Sequence, residues 1–125
     1  MIGPHEGKEL ELMLSGQKKF AVFYDLVKAN YQTPEEIIPE ALFSQHVANG
    51  TIVRLEQSFV SRKSGDKMRY VCFALPGQEW RALTYLWIKG ETLSGVRSFD
   101  RADEAIIGRL LGYSEKDISS FLNDT

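Results

Sequence analysis

Thr51-Ile-Val-Arg-Leu-Glu-Gln-Ser-Phe-Val-Ser61, Arg62-Lys-Ser-Gly-Asp66 and Lys67-Met-Arg-Tyr-Val-Cys-Phe-Ala-Leu75 read as strand, turn and strand. Both outer runs are rich in β-branched and aromatic residues, and Gly65 is free to take a positive φ between them. That pattern predicts a β-hairpin. Along its first arm Val53, Leu55, Gln57 and Phe59 share one side, and Arg54, Glu56, Ser58 and Val60 the other. One side is mostly apolar and one mostly polar, as in an antiparallel sheet with a wet face. On the second arm Val71, Phe73 and Leu75 alternate with Tyr70, Cys72 and Ala74.

Pro76-Gly77 stops the second arm, and Glu79-Trp-Arg-Ala-Leu-Thr-Tyr-Leu-Trp-Ile88 continues with helical spacing. Trp80, Leu83, Leu86 and Trp87 fall on one side of that helix and are expected to roof the hairpin, with Gly90 as the stop. Upstream, residues 5–15 suit a helix begun by Pro4, with Leu10, Met13 and Leu14 as its apolar stripe and Gly16 after its end. Residues 18–24 read as a strand with apolar side chains on both faces. Such a strand is either covered on both sides or is an edge that meets a partner. Thr33-Pro-Glu-Glu36 has the form of a capped helical turn, and Pro39 opens a further helix up to Ala48.

Downstream, residues 92–99 suit a short strand or an ordered loop. Asp100 is expected to cap a helix that buries Ile106, Ile107, Leu110 and Leu111. Ser114 opens a last helix carrying Ile118, Phe121 and Leu122. Strands adjacent in sequence favour antiparallel pairing. The expected class is α+β: one domain over residues 1–125, with a small, mainly antiparallel sheet of about three to four strands and helices packed on one face.

The bulk numbers agree. A chain of 125 residues, 43% hydrophobic and 26% charged, has the balance of a globular domain. A net charge of −2 disfavours a general nucleic-acid binder. The single cysteine, Cys72, excludes an intrachain disulfide. The N-terminus lacks a basic and then apolar leader, and no apolar run has bilayer length, so a soluble cytoplasmic protein is expected.

Several residue groups carry chemistry on paper. His5 and Glu9, one turn apart, lack the further ligands a metal needs, and no metal or other cofactor is expected. Cys72 is a nucleophile only if His46 lies beside it; otherwise it is a small buried residue. Asp100, Asp103 and Glu104, among Arg97, Arg101 and Arg109, are explained by helix capping. There is no phosphate-binding glycine loop, paired Cys-x-x-Cys or nucleophile elbow.

The aromatic residues are more suggestive. The leading expectation is a non-enzymatic accessory domain that binds a protein partner or a second copy of itself through an apolar sheet or helix surface. The alternative is a small-ligand site, or a small enzyme, with Tyr70, Trp80, Tyr85 and Trp87 as pocket walls. A third reading takes Arg54, Arg62, Lys63, Lys67 and Arg69 of the hairpin as a phosphate-tracking ribbon, against the acidic balance of the whole chain.

Overall fold

The computed structural model describes residues 5–123, so Pro4 lies outside them. The elements in chain order are α1 (Glu9–Leu14), β1 (Phe20–Leu26), α2 (Glu40–Ala48), β2 (Val53–Val60), β3 (Lys67–Ala74), α3 (Glu79–Leu93), α4 (Arg101–Leu110) and α5 (Glu115–Asn123). The strands form one antiparallel sheet in the order β1-β3-β2, and the fold is α+β. The hairpin β2–β3 closes as its sequence dictates. Gly65 takes φ 77°, and Ser61 N–H donates to Asp66 O at 2.8 Å.

β3 runs through the middle, paired on both sides, and is the strand with the longest unbroken buried run. Residues 70–74 are all buried. On one side Tyr70 and Cys72, with Phe20 of β1, pack against Ala82, Tyr85, Leu86 and Ile88 of α3 and Ile107 and Leu110 of α4. On the other side Val71 and Phe73, with Ala21, pack against Met13 of α1, Phe43 of α2, Ile38 and Ile52. The Phe43 and Phe73 rings stack with centroids 4.0 Å apart. α3 and α4 thus cover one face, with α5 packed on α4, while α1 and α2 each bury a side chain on the second. Two greasy faces on the central strand both have to leave water, so one layer of helices does not suffice.

α3 corrects two expectations. It runs past Gly90 to Leu93 and ends before Gly95, which takes φ 80°. Gly90 serves close approach instead: a Cβ there would stand 2.9 Å from the Phe59 ring. Of the expected inward stripe only Leu86 faces the sheet. Ala82, Tyr85, Leu86 and Ile88 face the sheet, whereas Trp80, Leu83 and Trp87 are 51%, 58% and 58% exposed. With Ala82 and Gly90 on or beside the inner arc, the helix seats close to the strands. Two indoles on that arc would hold it away.

Capping at the C-terminal end follows the sequence. Asp100 accepts from Asp103 N–H while Asp103 accepts from Asp100 N–H, a reciprocal box. Ser114 Oγ accepts from Asp117 N–H at 3.1 Å. No helix of the described residues is long and apolar enough to cross a membrane.

Candidate functional site

Backbone geometry singles out β1. Leu75 N–H donates to Lys19 O at 3.0 Å, and Val27 N–H donates to Lys67 O at 2.9 Å. These bonds bracket a ladder in which Phe20 pairs with Ala74 and Leu26 with Met68. Hydrogen-bonded and non-bonded pairs alternate along an antiparallel ladder. Residues 19, 21, 23, 25 and 27 therefore turn their backbone groups toward β3. Phe20, Val22, Tyr24 and Leu26 turn theirs outward. The Leu26 N–H on that side is taken by Asp25 Oδ1 at 2.9 Å. Among the described residues no further strand pairs with this edge.

Sheet edges are usually blunted by charge, proline or a bulge. β2, the other edge, carries Arg54 and Glu56 at outward-facing backbone positions. β1 has none of these devices between Lys19 and Asp25. Phe-Ala-Val-Phe-Tyr is uncharged, and its register with β3 is unbroken.

The edge lies in a groove of about 380 Å³. Residues 21–24 belong to its lining; Tyr85, Lys89, Glu104, Ile107 and Leu111 stand on the α3–α4 side, and Glu36 and Ile37 come from the segment before α2. Glu6, Glu9, Lys18 and Tyr113 complete the lining. Lys18 is only 2% exposed. Its Nζ lies 2.9 Å from His5 Nδ1, donates to Leu111 O, and sits 5.3 Å from the Tyr113 ring centroid. Burial pushes the ammonium down to about 8, with the Glu9 carboxylate opposing the shift. Burial, and then the Lys18 charge, also hold His5 below its ordinary value. Lys18 thus binds the first turn to the α4–α5 junction. A lysine read from sequence is taken as solvated, so only the uncharged run after it hinted at this site.

The residues expected to carry chemistry scatter. Tyr70 and Tyr85 meet in the core, edge to face, with centroids 6.0 Å apart. Trp80 and Trp87 lie on the outer side of α3, so the four do not wall one pocket, and of them only Tyr85 reaches the groove. Of the hairpin cations, Arg54 lies 2.7 Å from Glu40 and 2.6 Å from Glu56, and Arg69 lies 3.3 Å from both. Arg62, Lys63 and Lys67 are exposed around the turn. Cys72 faces α3, whereas His46 belongs to α2 on the opposite side of the sheet, so the two form no dyad. Burial pushes the thiol up to about 12. Asp103 holds Arg97 and Asp100 N–H, which gives it a structural task.

A second surface is the outer stripe of α3. The Arg81 guanidinium lies 4.7 Å from the Trp80 ring centroid, and that of Arg97 lies 5.3 Å from Trp87. This stripe offers side chains only. The β1 edge adds directional backbone donors and acceptors, which a partner must match in register. Comparison with known proteins gives no match to a family model, to a curated protein or to a solved structure.

Proposed function

We propose that this chain is a non-enzymatic protein-binding domain that accepts an extended segment of another protein as a fourth strand against β1. The observation that carries the reading is the open row of Val22 and Tyr24 backbone groups lying in a groove walled on both sides. Main-chain bonds supply affinity in this mode, and alternate side chains enter pockets on the two faces. Val22 and Ile107 border one row of such pockets, and Phe23 and Ile37 the other. A second copy of the chain is the competing occupant, but it would bring both of its own walls to the same edge. The buried amine in the groove is committed to His5 and Leu111, which favours binding over catalysis.

The test is selection from a displayed library of random ten-residue peptides, repeated on Val22→Pro. The Val22 N–H points outward, so proline there leaves the β1–β3 ladder intact and blocks only the open edge. Binders are expected to alternate apolar residues and to lose the variant. Binders that hold Val22→Pro equally well would overturn the reading.

A further inference from the structure

We infer that the strand accepted by β1 is a basic one, an extended segment in which lysine or arginine alternates with apolar residues. This rests on the strand-addition reading and names its partner. Four carboxylates, Glu6, Glu9, Glu36 and Glu104, line the groove beside two ammonium groups, Lys18 and Lys89. The ion pairs among the described residues use Glu40, Glu56, Asp103 and Glu115, and none of these four. Glu9 acts on the Lys18 charge and Glu104 on that of Lys89, which leaves the lining with a surplus of two carboxylates over its two ammonium groups. Lys18 is turned into the interior on His5 and Leu111 O. Lys89 Nζ lies 4.6 Å from the Phe99 ring centroid and 5.8 Å from that of Tyr85.

The field in the groove is therefore negative. Glu36 stands on one wall and Glu104 on the other, with Glu6 and Glu9 contributed from the N-terminal side. An incoming strand sends successive side chains to opposite faces, so a cation on either row meets a carboxylate. An acidic strand would meet like charge on both walls, with its carboxylates partly withdrawn from water. The apolar lining between the carboxylates, from Ala21, Val22, Phe23, Ile37, Ile107 and Leu111, accommodates the alternate residues.

The experiment titrates the protein with three capped nine-residue peptides in which valine alternates with lysine, threonine or glutamate. Wild type, Val22→Pro and the double variant Glu36→Gln/Glu104→Gln are compared at 50 mM and 500 mM salt. The lysine peptide is expected to bind about ten-fold more tightly than the threonine peptide at low salt, with most of that margin lost at high salt. The double variant should cut the margin about three-fold, and Val22→Pro should abolish binding. Equal binding of all three peptides, lost in Val22→Pro, would overturn the charge inference and leave the strand reading standing. Lysine-peptide binding undiminished in Val22→Pro would overturn both. If no peptide binds and the chain is a dimer that Val22→Pro dissociates, the occupant is a second copy and the inference falls. If no peptide binds and the chain is monomeric, both readings fall.

Discussion

Replacing Lys18 with methionine tests whether the groove holds a dehydrated ammonium. The side chain is 2% exposed, and its ordinary value of 10.5 is pushed down to about 8 by burial. That gap, at about 1.4 kcal/mol per pH unit, corresponds to a penalty of about 3 kcal/mol on the charged folded state. The sign follows from proton binding. Between about pH 8 and 10.5 the unfolded chain holds the Lys18 proton and the folded chain has released it, so stability rises with pH across that window. Below about 8 both states are protonated and the penalty is present in full. Methionine keeps the length of the side chain and cannot titrate. Urea unfolding followed by far-ultraviolet circular dichroism would give the difference in stability between wild type and Lys18→Met at each pH, with the other titrating groups largely cancelling. The difference should move in favour of wild type by about 2–3 kcal/mol between pH 7.5 and 10.5. A difference that is flat with pH, or that moves the other way, would refute the claim that the ammonium is held out of water.

Proline placed at two adjacent positions of β1 should give opposite results. At Ala21 it removes a donor facing β3, leaves the buried Phe73 carbonyl without its partner, and should cost about 3 kcal/mol or more in urea unfolding. At Val22 it should cost about 1 kcal/mol, mostly through lost packing; equal losses at the two positions would mean that the assigned edge is the wrong way round. Gly108→Ala should lower the melting temperature, although alanine is normally worth about 1 kcal/mol over glycine in a helix. A Cβ at that position would stand 2.8 Å from Ile118 Cγ1, so the α4–α5 seam must open, and a raised melting temperature would show that the seam yields easily.

The hairpin was legible because its two arms repeat with period two around a glycine, and that pattern depends on nothing beyond the arms themselves. The Asp100 cap was legible for the same reason, since its partner lies within one turn, and the structure adds the reciprocal bond from Asp103. The orientation of α3 was not. Trp80, Leu83 and Trp87 form as good an apolar stripe as Ala82, Tyr85, Leu86 and Ile88, and periodicity counts hydrophobicity without regard to bulk. Which stripe turns inward depends on how close the helix axis comes to the sheet, and the Gly90–Phe59 contact is a tertiary fact. The groove was half legible. Apolar residues on both sides of β1 left two alternatives, a strand covered on both faces or an edge, and the structure places β1 at an edge. However, Lys18, Lys89 and Glu104 reach it from elements far apart in the chain, and nothing local to any of them reveals the meeting.

Cys72 lies on the central strand with no exposed surface, and burial pushes its thiol up to about 12. A thiol-specific reagent therefore finds neither access nor the reactive thiolate while the sheet is closed. Each alkylation event in native buffer records one opening of the middle of the molecule, which gives the chain an internal clock for its own rarest motion.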